Sequence, residues 1–143
     1  MNNNMTEVLL VEDNPGDVTL IREILLEDAP HINLNVIMNG EDAINYLFRE
    51  GEFQDAAAPE LMILDLNLPK KSGKEILEEI KDDQRLKNIP IIIFSSADID
   101  ENIFTNEKYN IKSYIVKPIA LEDYISSIEF IKKYIAELQQ YKK

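Results

Sequence analysis

The feature that most constrains this chain is an alternation of two periodicities. Short apolar runs, each stopping at a polar or charged residue, take turns with stretches of helical spacing. EVLLVED (7–13) is branched and apolar until it meets two acids. INLNVIM (32–38) alternates apolar residues with Asn33 and Asn35. LMILD (61–65) is apolar up to one aspartate, IIIFS (91–95) follows Pro90, and SYIV (113–116) stops at Lys117-Pro118. Runs of this length and composition read as buried strands, and the third, the most uniformly apolar, reads as a central one. The wetter second run suits a sheet edge.

Between them lie the helices. Asp13 or Asn14 can cap a helix that Pro15 opens, and Val18, Ile21 and Leu25 give it one apolar face down to Glu27. A second helix covers 41–49, with Ala43, Ile44, Leu47 and Phe48 inward, and a looser segment, 50–60, follows. Ser72 to Glu75 has capping-box spacing ahead of Ile76, Leu77 and Ile80. The stretch 98–110 predicts the weakest helix, anchored only by Ile103 and Phe104. From Leu121 a long helix runs nearly to the end. Strands alternating with helices through short loops predict an α/β fold with a parallel sheet covered on both faces. The 143 residues suffice for one domain, with a core over about 6–135 and the last helix reaching about 141.

In such sheets, ligands sit beyond the carboxyl ends of the strands, where strand order reverses. Glu12-Asp13, Asp65, Ser95 and Lys117 are the residues delivered there. Taken singly, each has an ordinary reading: an acid pair as strand end and helix cap, Asp65 as a turn cap, Lys117-Pro118 as a loop start. Their convergence is what capping does not explain. Three neighbouring carboxylates destabilise one another unless a cation sits among them, and oxygen-only ligands on loops suit Mg²⁺, with Mn²⁺ as the alternative occupant. A hydroxyl and an ammonium on the far side suit a phosphoryl group. The crevice is therefore expected to form and hold an acyl phosphate.

Composition removes other classes. A net charge of −12 with scattered basic residues argues against duplex DNA or anionic lipid as main partner. Without cysteine there is no disulfide framework or thiolate metal site. No apolar run is long enough to span a bilayer, and MNNNMTEV lacks the features of a signal peptide, so the cytoplasm is the expected compartment. His31, the only histidine, is expected on a surface turn after Pro30.

The combination of Glu12-Asp13, Asp65, Leu68-Pro69 with Gly73, Ser95-Ser96 and Tyr114-Ile115-Val116-Lys117-Pro118 resembles the response-regulator receiver domains of two-component signalling. LDLNLPKKSG and the extended loop 51–59 look most like the single-domain regulators that partner phytochrome-type histidine kinases. The resemblance implies a flavodoxin-like, doubly wound five-stranded sheet of order 2-1-3-4-5 with five helices. It implies that Asp65 accepts a phosphoryl group from a sensor histidine kinase. Glu12, Asp13, Asp65 and the backbone carbonyl of Asn67 would hold Mg²⁺, Lys117 would pair with the phosphoryl oxygens, and Ser95 and Tyr114 would form the switch. Turnover is expected to be limited to self-phosphorylation and slow autodephosphorylation. The output would be a changed surface met by a downstream protein reader.

The rivals are a Mg²⁺-dependent phosphatase of the haloacid dehalogenase type and a phosphorylation-independent adaptor. The first places a second aspartate two residues after the nucleophile, where this chain has Asn67, which does not exchange a proton. The second calls for a degraded site. Flavin binding would need a phosphate-cradling loop where this chain has Glu-Asp-Asn-Pro. Finally, Tyr124, Ile128, Ile131, Ile135 and Leu138 step in a heptad-like seam. Either this stripe is intramolecular core with a frayed end, or it supports a homodimer through the last helix and fifth strand. On the second reading, Glu at 135 and 138 would leave the fold intact and yield monomers.

Overall fold

The computed structural model describes residues 5–141, so the first four residues and the basic pair Lys142-Lys143 lie outside the described residues. The strands are β1 (Thr6–Val11), β2 (Ile32–Ile37), β3 (Leu61–Leu64), β4 (Ile91–Ser95) and β5 (Ile111–Val116). The helices are α1 (Pro15–Leu26), α2 (Gly40–Leu47), α3 (Gly73–Ile80), α4 (Glu101–Phe104) and α5 (Leu121–Gln140), with one 3₁₀ turn at Gly51–Phe53. All strand pairs are parallel, in the order β2-β1-β3-β4-β5. The second strand is an edge and the third is central, as their hydropathy implies.

Because side chains alternate across a strand, the apolar runs feed two cores. Leu9, Val11, Met62, Leu64, Ile91 and Ile93 face α2 and α3, where Ala43, Ile44, Leu47, Ile76, Leu77 and Ile80 meet them. Val8, Leu10, Leu61, Ile63, Ile92 and Phe94 face the other way, toward Ile21 and Leu25 of α1 and toward α5. Caps stand where the sequence put them. Asn14 accepts the Asp17 N–H, and Ser72 and Glu75 form the reciprocal box. Phe48, expected inside its helix, closes α2 as its C-cap and is half-buried.

Two approaches are too close for any residue but glycine. A Cβ at Gly40 would penetrate the Lys71 carbonyl, and one at Gly73 would stand 2.7 Å from the Asp65 carbonyl oxygen. Together with the Gly40 N–H to Pro69 oxygen bond at 3.2 Å, they clamp the turn after β3, where Lys70 holds a left-handed φ of 70°.

Two expectations need correction. The helix read over 98–110 shrinks to the single turn of α4, because Ile103 is its only buried anchor. The following segment instead tucks Tyr109 into the core by a turn, with its hydroxyl on Glu78. His31 lies on the expected turn, partly exposed, and its carbonyl accepts the Thr6 N–H at 2.7 Å. The stripe on α5 is consumed within the chain: Tyr124, Ile128, Ile131 and Ile135 are buried against β1, β3, β4 and α1, with Leu138 packed at their end. Position 135 therefore cannot accept a charge with the fold intact. Among the described residues no helix is long and apolar enough to cross a membrane.

Ile135→Glu is expected to lower stability by about 3 kcal/mol or more, since it replaces buried hydrocarbon by a desolvated carboxylate. Urea unfolding followed by far-UV circular dichroism checks this, the chain having no tryptophan. An unchanged midpoint would contradict the packing of α5.

Candidate phosphoryl-acceptor site

The carboxyl ends of β1, β3, β4 and β5 deliver the site. Past Val11, Glu12 continues the strand pairing through its N–H to the Ile37 oxygen at 3.1 Å, and its side chain turns inward, 1% exposed. Asn14 is the helix cap, so Asp13 is not used for capping and stays exposed at the rim. The Asp65 N–H donates to the Val11 oxygen at 3.0 Å, which seats its side chain, 5% exposed, beside Glu12. Carboxylate oxygens of Glu12, Asp13 and Asp65 all lie within 4.8 Å of one another. That spacing and the all-oxygen donor set fit a hard divalent cation.

The two oxygens of Asp65 differ. Oδ1 accepts the Ser95 hydroxyl at 2.7 Å and the Asn67 N–H at 3.0 Å, while Oδ2 faces Lys117 Nζ at 3.3 Å. Ser95 is fully buried at the end of β4, and its carbonyl accepts the Lys117 N–H at 2.8 Å, joining two strand ends. Lys117 Nζ is closer to Glu12, at 2.7 Å, and to Asp17, at 2.9 Å. Tyr114 stands apart from Ser95. Half-buried on β5, it donates its hydroxyl to the Asp98 carbonyl at 3.1 Å and accepts the Asp100 N–H at 3.2 Å, with its ring edge-on to Phe104.

Sequence reasoning missed Asp17 and Tyr124. Asp17 sits in the first turn of α1 and takes both Lys117 and the Tyr124 hydroxyl, the latter at 2.6 Å. An acid three residues after an Asn cap signals only a helix start, and Tyr124 reads as the first member of an apolar stripe.

Three carboxylates thus share one ammonium, with Asp13 beside two of them, and the charges respond. Burial, reinforced by Asp65, pushes the Glu12 carboxyl up to about 7 against the opposing pull of Lys117. Burial alone would lower the Lys117 ammonium, but its bonds to Glu12 and Asp17 prevail and raise it. Burial and donation to Asp17 raise the Tyr124 phenol. A carboxylate flanked by a hydroxyl, an ammonium and further carboxylates able to hold a cation is suited to attack an electrophilic phosphorus and to bear the charge that arrives.

The response regulator receiver domain family matches residues 8–129. Response regulator Rcp1 of Synechocystis sp. is 32% identical over 130 residues, covering 91% of this chain and 88% of Rcp1. The structure of the phosphorylated cyanobacterial phytochrome response regulator RcpA superposes with a TM-score of 0.84 at 36% identity, over 92% of this chain and 94% of RcpA. The Mn²⁺-bound form of Rcp1 gives 0.83 at 31% identity, over 90% and 93%. With strand order, strand-end chemistry and these similarities in agreement, the chain belongs to the response-regulator receiver domains of two-component signalling.

Proposed function

We propose that Asp65 is the phosphoryl acceptor and that the donor is the phosphohistidine of a sensor histidine kinase. The likeness to RcpA and Rcp1 makes a phytochrome-like kinase the favoured class. An oxygen of Asp65 attacks phosphorus, the P–N bond to the imidazole breaks, and the histidine nitrogen leaves with the bonding pair. Glu12, Asp13, Asp65 and the Asn67 carbonyl would hold Mg²⁺, or Mn²⁺ in its place, which when bound neutralises the incoming charge. Lys117 pairs with a phosphoryl oxygen, and the Ser95 hydroxyl transfers its bond from Asp65 to another. Slow return by water attack would reset the protein without turnover of external esters. The observation that carries this reading is a buried strand-end carboxylate bonded at once by a hydroxyl and an ammonium, beside two more carboxylates.

In the same reading, residues 1–143 form a single receiver domain, working in the cytoplasm. Its output passes from Ser95 and Tyr114 to the surface made by α4, β5 and α5. That surface exposes Ile99, Phe104, Ile119, Leu121 and Phe130, as a protein reader requires. Pairing of two copies through the last helix and fifth strand would use Phe130 and the shallow groove beside Tyr114 and Ile115, not the buried stripe.

Incubation with acetyl phosphate and Mg²⁺ is expected to add one base-labile phosphoryl group, and Asp65→Asn to abolish it, as read by intact mass. Labelling that survives the substitution would sink the assignment.

The raised Glu12 carboxyl gives a second expectation. Between about pH 4.5 and 7 the folded state holds a proton that the unfolded state releases, so metal-free stability falls as pH rises through this window. The loss is about 2–3 kcal/mol. Saturating Mg²⁺ should oppose the fall, and Glu12→Gln should remove its Glu12 component. Urea midpoints at pH 5 and 7.5 test both, and an equally steep fall in Glu12→Gln would exclude this origin.

A further inference from the structure

Asp17 and Tyr124 have no part in accepting the phosphoryl group or holding the cation, yet they bracket Lys117. The Lys117 ammonium has three N–H donors and meets three carboxylates: Glu12 at 2.7 Å, Asp17 at 2.9 Å and Asp65 at 3.3 Å. Asp17 presents one oxygen to Lys117 and the other to the Tyr124 hydroxyl. The Tyr124 ring is buried and edge-on to Phe94 at 5.2 Å, and the Phe94 ring lies 5.8 Å from Lys117 Nζ. A carboxylate on α1 is thereby held by a phenol on α5 and in turn holds an ammonium on the loop after β5. A lysine on a flexible four-carbon stem has no fixed direction of its own, so a second anchor decides where its remaining donor points.

We propose that Asp17, fixed by Tyr124, is a positioning residue that aims Lys117. With Glu12 it occupies two of the three N–H donors, so the third is directed at Asp65 and at the phosphoryl oxygen that arrives there. This rests on Asp65 being the acceptor. When the Asp65 oxygen becomes part of an acyl phosphate it is a poorer acceptor, and the third donor passes to the phosphoryl group with the other two bonds kept. Asp17 is not among the carboxylates grouped for a cation, so its loss acts on the transfer step and not on cation binding.

The test uses the full chain with Mg²⁺ and saturating acetyl phosphate. Asp17→Ala is expected to lower the maximal phosphorylation rate roughly tenfold, a misaimed group being costly even when present. Asp17→Asn, which keeps an acceptor, and Tyr124→Phe, which keeps the ring, should lose less. The double variant Asp17→Ala with Tyr124→Phe should be no slower than Asp17→Ala alone, because the hydroxyl acts only through Asp17. Mg²⁺ affinity from calorimetry should stay within about threefold of wild type, unlike that of Asp13→Ala. The Lys117 ammonium proton–nitrogen NMR signal, assigned by its absence in Lys117→Ala, should persist in wild type and vanish in Asp17→Ala as the freed ammonium exchanges with water. A rate within about twofold of wild type, additive losses in the double variant, or a retained ammonium signal in Asp17→Ala would overturn the proposal. If the wild type takes no phosphoryl group on Asp65, the acceptor reading fails by itself, and the ammonium signal still decides whether Asp17 anchors Lys117.

Discussion

Like-charge repulsion among Glu12, Asp13, Asp17 and Asp65, offset by the single ammonium of Lys117, is the constraint around which the carboxyl ends of the strands are arranged. Carboxylates within a few ångströms cost several kcal/mol in a poorly solvated setting. Glu12 responds by holding its proton up to about pH 7, and Lys117 by spreading its three donors over three acids. Such a site is stable enough to fold and still favours a cation or a rearrangement of charge. The same repulsion separates it from ordinary capping. Asn14 satisfies the start of α1, so Asp13 has no structural duty to justify its place at the rim.

That electrostatic tension is tolerable only because the acceptor is immobile. β3 is buried on both faces, and its pairing with β1 continues into the Asp65 N–H bond to Val11. The turn that follows is clamped by Gly40 and Gly73, where a single added methyl group would collide with backbone. Across the sheet the packing is much lighter: α4 is one turn with Ile103 as its buried anchor and Phe104 half in water. A rigid acceptor beside a lightly held helix is a division suited to a two-state response, since a local charge change moves whatever resists least.

The strands and the five strand-end residues were legible because short apolar runs that stop at polar or charged residues have few alternatives once helices separate them, while the sheet order came with the family resemblance. Legibility failed where one pattern serves two packings. Tyr124, Ile128, Ile131 and Ile135 have the spacing of a helix seam whether the partner is another chain or the sheet beneath. Only the seating of α5 beside α1, over β1, β3 and β4, decides. It failed again at α4, where Tyr109 enters the core from a turn and leaves no periodic mark. The bond from Tyr124 to Asp17 spans 107 positions and exists only because α1 and α5 pack together. Nothing local to either residue announces it.

Under the proposed chemistry, a charge added at Asp65 would reach the surface by way of Ser95. The Ser95 hydroxyl is committed to Asp65 Oδ1, and the Ser95 carbonyl to the Lys117 N–H. In that chemistry the hydroxyl passes to the phosphoryl group, away from the Leu66 and Ala97 N–H groups, each 3.4 Å from Ser95 Oγ. The segment after Ser95 runs to Asp98 and Asp100, both bonded to the Tyr114 hydroxyl, and Asp100 caps α4. A shift of Ser95, the last residue of β4, would therefore bear on the segment that leads to the cap of the least anchored helix. Under the proposed chemistry, the change emerges where Ile99, Phe104 and Tyr114 meet solvent, while the sheet that positions Asp65 stays as it is.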